Sequence, residues 1–157
     1  MNIKRRFRGL RGMRSERGAA LVEFALVVPL LMLMMCATID FGLAVYTLNN
    51  LTAAAREGGR YAAVLPGQTW TANGGATAQA QVRDRVYQYI VGMNNGLTEA
   101  QTKALITVSN PDATTRNITV QISGYPYRPV TPLATAFGLQ TIYMNRKAIF
   151  RWEFGGS

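Results

Sequence analysis

A chain of 157 residues with a formal net charge of +9, no histidine and a single cysteine has room for one small domain and a membrane segment, not for two full domains. Those absences exclude zinc sites of the usual ligand spacings, Cys-His and Ser-His-Asp nucleophile systems, and an internal disulfide. The charge is local: Lys4, Arg5, Arg6, Arg8, Arg11, Arg14 and Arg17 stand against Glu16 alone in residues 1–18, whereas residues 19–157 carry ten basic and seven acidic side chains.

A basic arm followed at once by an apolar run keeps its own end in the cytoplasm. Phosphate neutralisation is the competing use of such an arm. The interleaved aromatics of a nucleic-acid surface are missing, so no nucleic-acid partner is expected. From Phe24 to Ile39 no side chain is charged. Counted from Ala19, about 21 residues give roughly 31 Å of helix, the thickness of the hydrocarbon core. A cleaved secretory signal is disfavoured, because its best cleavage spacing, Gly42-Leu43-Ala44, lies beyond Asp40. Met35 is too large to precede a lipoprotein cysteine, and Cys36 reads as a small apolar residue facing lipid or another helix. Everything after about Asp40 is therefore expected outside the cytoplasmic membrane, with Asp40 near the outer interface and facing water.

Glu23 is the anomaly. A carboxylate in a span costs about 2.5–3.5 kcal/mol near the bilayer centre and less at the interface. Either something uses it, or it sits idle at headgroup depth.

Apolar and small residues continue through Phe41, Leu43, Ala44, Val45, Leu48 and Leu51 to Ala53-Ala54-Ala55. An unbroken helix from Ala19 to Arg60 is about 63 Å long, twice the membrane core. Pro29 removes one hydrogen bond, to the carbonyl of Ala25, which a membrane helix tolerates. In "AAAREGGRYAA" (53–63), Ala54, Gly58 and Ala62 form one row of small residues, and Ala55, Gly59 and Ala63 the next. Such rows admit close approach of another backbone; equally, Gly58-Gly59 suits a helix end, each glycine costing about 1 kcal/mol against alanine. Glu57 and Arg60 are spaced to pair.

Beyond the stem, residues 65–77 read as a loop from their glycine and proline content. Val82, Val86 and Ile90, with Tyr89 beside them, mark an amphipathic helix over about 78–93, closed by Asn94-Asn95-Gly96. Thr98 and Gln101 fit a capping box. Ile106 and Val108, then Ile118, Val120 and Ile122, alternate as two strands joined by the turn chemistry of residues 109–117. Segment 125–132, "YPYRPVTP", is expected to be extended. In a last strand Ala148, Phe150, Trp152 and Phe154 face one way, Lys147, Arg151 and Glu153 the other. The two-residue period makes those aromatics core and not a ligand cage. Asn117-Ile118-Thr119 has the spelling of a glycosylation acceptor and nothing more. An envelope enzyme would need Asp84, Glu99 or Asp112 to converge in a pocket, and no spacing suggests it; no catalytic residue, metal or cofactor is expected.

Two stretches, "RGAALVEFALVVPLLMLMMCATIDFG" and "LTAAAREGGRYAA", resemble the TadE-like family of tight-adherence (Flp, type IVc) pilus assembly proteins. The joint pattern is Gly18 with Glu23-Phe24, then Pro29, Ile39-Asp40-Phe41-Gly42 and Ala54-Ala55-Arg56-Glu57-Gly58. It covers roughly residues 17–63; the run from Tyr125 to Pro132 and the closing strand look like the family's usual ending. Gly59 departs from the pattern, since many relatives have alanine there.

The resemblance implies a minor pilin or pseudopilin with a pilin-like α+β fold. Its parts are a basic cytoplasmic leader (1–18), a transmembrane and stem helix (19–63), and a small periplasmic domain (64–157) with one helix and about three antiparallel strands. It implies a prepilin peptidase that recognises Gly18, Ala19, Glu23 and Phe24 and cuts after Gly18. Glu23 would then meet the new amine of Ala19, in its own or a neighbouring subunit, as a register mark for assembly. Asp40, Arg56 and Glu57 fall to subunit contacts, and Ala54, Gly58, Ala55 and Gly59 to helix packing. Implied partners are the peptidase, other pilin or pseudopilin subunits, the inner-membrane assembly platform and the lipid bilayer. The alternative is an unprocessed single-pass signal anchor whose envelope domain binds a ligand.

Overall fold

The computed structural model describes residues 8–93, 96–136, 138 and 140–153. One helix, α1 (Arg8–Ala63), runs 56 residues and passes through Pro29 and Gly58-Gly59 without a break. At 1.5 Å per residue it is about 84 Å long. It is the one helix among the described residues long and apolar enough to cross a membrane. Its two parts differ in surroundings. Leu21 through Met35 are exposed apart from partly buried Val28, with Leu26 73% accessible, while Leu51, Ala54, Ala55 and Ala62 lie in the core of the α+β domain.

The rest is α2 (Gly67–Thr71), a 3-10 turn (Ala72–Gly75), α3 (Ala76–Ile90), α4 (Glu99–Ala104), β1 (Ile106–Val108), β2 (Asn117–Tyr127), α5 (Pro132–Ala136) and β3 (Ile142–Arg151). The three strands form one antiparallel sheet in the order β1-β2-β3. The α+β architecture expected from sequence is therefore present. Two helices share one face of the sheet: α1 lies against β2 and β3, and α3 beside it against β1. Alternation fixes which residues meet them. Ile118, Val120 and Ile122 are fully buried, and their partners Phe150, Ala148 and Arg146 occupy the same face of β3. Arg146 avoids an unpaired burial by donating from Nε to Thr52 Oγ1 at 3.1 Å.

Several elements differ from the sequence reading. Residues 65–77 are not a loop: Pro66 precedes a helical turn whose Trp70 is buried, and only Asn73, Gly74 and Gly75, all at positive φ, break it from α3. Burial of one indole outweighed the turn-forming composition. Helix α3 starts and ends earlier than expected, and Tyr89 is half exposed while Val82, Val86 and Ile90 are buried. Its ring lines a surface groove beneath the Arg85 guanidinium. Asn94 and Asn95 lie outside the described residues; Gly96 has the left-handed φ of +71°.

Within segment 125–132 the β-strand runs through Tyr127, and Pro132 is not extended but opens α5, where its missing N–H costs nothing. Strand β3 begins at Ile142, earlier than its aromatic run suggested, and ends before Trp152, whose indole instead donates to the Leu65 carbonyl at 2.9 Å. Phe154 lies outside the described residues. The Thr98–Gln101 capping box is formed. The β1–β2 connection turns on Asp112, whose Oδ1 accepts from the amides of Thr114 and Thr115 and from the Thr115 hydroxyl.

Candidate assembly surface of the stem helix

The stem presents three zones in succession. In the first, Gly18, Ala19, Glu23 and Phe24 are exposed on a regular helix, and no side chain of the exterior domain reaches them. Glu23 stands one turn, about 6 Å, along the axis from Ala19. Among the described residues it makes no hydrogen bond or ion pair. Gly18 meets nothing within 4 Å and is helical.

The second zone is Asp40. Its Oδ1 accepts from the amides of Val130 (2.9 Å) and Thr131 (3.1 Å), its Oδ2 accepts from the Thr131 hydroxyl, and its backbone carbonyl accepts from Tyr127 Oη at 2.8 Å. The carboxylate expected to face water therefore clasps the end of β2 and the segment after it to the stem. Helix spacing could place Asp40 at the interface but could not reveal donors some ninety residues away. Burial holds the Tyr127 phenol above its usual range, with the charge of Asp40 adding to it.

In the third zone the small residues are consumed within the chain. A Cβ on Gly58 would come closer than 3.0 Å to Val86 Cγ2 and within 3.4 Å of Val120 Cγ1; one on Gly59 would run into the Phe150 ring. Ala54 and Ala55 are buried beside them. The close approach that the rows permit is made here by α3 and β3 of the same molecule. Arg56 is exposed. Glu57 is held by Arg60 (Nε 2.9 Å, Nη2 3.0 Å) and by Arg85 Nη2 of α3 at 3.0 Å. The Arg60 hydrogen bond first, then that of Arg85, keeps the Glu57 carboxyl below its ordinary value.

Between the second and third zones a groove of about 380 Å³ opens, lined by Leu43, Tyr46 and Asn50 of the stem, Tyr89 and Met93 near the end of α3, and Arg128. Of the acids that an enzyme reading would require, the structure brings Asp84 and Glu99 together and leaves Asp112 apart. Asp84 and Glu99 both pair with Lys103, at 2.6 and 2.5 Å, and Asp112 is spent on its turn. Among the described residues no cluster of His, Cys, Asp or Glu could hold a metal ion.

A helix whose first part is bare, apolar and long enough to cross a membrane, and whose second part is the spine of an α+β domain, is the architecture of the chain. Residues 18–60 match the family described as TadE-like protein, the family recognised above from the residues themselves. The match begins at Gly18 and ends inside the glycine-rich third zone, so it covers the stem alone. No curated protein and no solved structure matches the chain.

Proposed function

We propose that the chain is a minor pilin or pseudopilin of a tight-adherence (type IVc) pilus, made with residues 1–18 as a leader that a prepilin peptidase removes after Gly18. In this reading residues 19–63 are span and stem, and residues 64–157 form a periplasmic domain of an inner-membrane protein whose amino end is cytoplasmic. The observation that carries it is the position of Glu23, an otherwise unpartnered carboxylate one turn after a glycine at which the TadE-like segment begins.

Cleavage needs an extended peptide, so α1 must open locally at the scissile bond. Glycine there lowers the helical preference by about 1 kcal/mol relative to alanine and removes the Cβ from the protease cleft. The cut releases the amine of Ala19 and supplies the positive charge that Glu23 lacks. Pairing across subunits would then fix the depth of one stem against the next, and offset the cost of a buried carboxylate. Asp40 and Glu57 take part indirectly in this scheme, by holding the domain to its stem. Exposed Arg56 is free to meet a neighbouring subunit.

The test is co-expression with a prepilin peptidase followed by N-terminal sequencing of the membrane-extracted protein. The expected product begins at Ala19, and a bulky replacement of Gly18 abolishes it. A chain that still begins at Met1 beside an active peptidase rejects processing and leaves a signal-anchored envelope domain.

A further inference from the structure

The bonds to Asp40 set the height of the exterior domain above the membrane. Ala19 and Asp40 are separated by about 32 Å along the helix, so Asp40 lies where a hydrocarbon core of about 30 Å ends. Tyr127, Val130 and Thr131 are bonded to that residue and are held at the same level. Pairing of Tyr127 with Ile142 and of Pro126 with Tyr143 brings the first residues of β3 to this end as well.

The two ends of the domain differ in polarity. At the Asp40 end, Val130 is 71% exposed, Tyr143 69% and Ile142 41%. On the adjoining stem, Phe41 is 72% and Tyr46 62% exposed. The connection 128–141 carries one charge, Arg128, at its start. At the opposite end the β1–β2 turn presents Asp112, Thr114, Thr115 and Asn117, all exposed, with Val64 and Ile149 the exposed large apolar side chains nearby. Aromatic side chains favour the membrane–water boundary, where their apolar rings leave water and their polar ends stay wet.

We propose that this end of the domain, residues 128–131 with the start of β3, rests on the outer leaflet of the bilayer that holds α1. Val130, Ile142 and Tyr143 enter the boundary between headgroups and acyl chains, and Arg128 lies at the level of the lipid phosphates. The inference rests on residues 19–39 spanning the bilayer and is independent of any role in a pilus. It makes the domain a body held to the membrane at two places, the span and this apolar rim.

The test uses the full chain in lipid nanodiscs, one copy per disc, with Cys36→Ala and a fluorophore at Val130→Cys or, separately, Thr114→Cys. Quenchers carried on shallow positions of the lipid chains are expected to dim the probe at 130 and spare that at 114. An aqueous quencher should act severalfold more strongly at 114. Amide exchange of the unlabelled chain gives the same comparison without substitution: residues 140–143 should exchange more slowly in nanodiscs than in detergent, and residues 113–116 equally in both. Equal access of the aqueous quencher to both probes overturns the proposal. Shielding at 130 that appears only with several copies per disc also overturns it, and assigns the rim to a subunit contact.

Discussion

Replacing Gly58 by alanine sets helix propensity against packing at one atom. Alanine favours the helix by about 1 kcal/mol over glycine, so on an exposed turn the change would stabilise. Here the new Cβ lands on Val86 Cγ2, with Val120 and Val82 at 3.4 and 3.7 Å behind it. Val86 is fully buried and cannot swing into solvent. Overpacking of this kind costs about 1–3 kcal/mol, so the net loss is up to about 2 kcal/mol. For a domain of this size that is a fall in Tm of several degrees. The decisive measurement repeats the change in a Val86→Ala background, where the obstructing methyl is gone. There Gly58→Ala is expected to stabilise by about 1 kcal/mol, a reversal of sign that amounts to a coupling of about 1–3 kcal/mol. Ala53→Gly, on the exposed face little more than one turn earlier, calibrates the propensity in place. Unfolding of the full chain in detergent, followed by the near-ultraviolet signal of buried Trp70, reads all four variants. Equal effects of Gly58→Ala in both backgrounds would refute the reasoning, and with it the seating of α3 in the small-residue groove.

Glu23→Gln is expected to insert normally and to reduce incorporation into pili, scored by surface pilus yield against membrane-inserted protein; full piliation would reject the register role. For Glu57 the folded carboxyl lies below its ordinary value of 4.5, so its contribution is complete above that value and is lost as pH falls through the depressed one. The acid limb of a Tm-against-pH profile should therefore flatten in Glu57→Gln. Asp40→Asn keeps the shape but loses the charge and one acceptor oxygen, and is expected to speed amide exchange at Val130 and Thr131 while leaving the strand amides of β2 unchanged. Uniform acceleration across the domain would show that Asp40 supports the whole fold and not a local clasp.

What sequence could reveal follows the reach of each signal. Alternation is local, so Ile118, Val120 and Ile122 announced a strand and its buried face without help. The Thr98–Gln101 box spans four residues and was readable for the same reason. The rows around Gly58 and Gly59 showed that something must come close, and a one-dimensional pattern could not say that Val86 and Phe150 of the same chain do so. Residues 65–77 misled because glycine and proline report backbone permission, whereas Trp70 reports a tertiary pocket that composition does not encode. Asp40 was given no partner, since its donors come from the end of β2 and the segment after it, some ninety residues along the chain.

The site and the fold meet in how many points hold the domain to its stem. A domain hung from the end of a helix could pivot at one joint. This one is fastened at Asp40, along Leu51 to Ala55 in the core, and at the helix terminus, where the amide of Glu153 donates to the Ala63 carbonyl at 3.1 Å. Those points span about 35 Å of a single unbroken helix. Any rotation of the first turns of α1 therefore turns the sheet by the same angle, and any axial shift moves the domain by the same distance. Under the proposed register role of Glu23, a contact that fixes the first turns of the stem would thereby also set which face of the domain meets its neighbour, with no second recognition event needed.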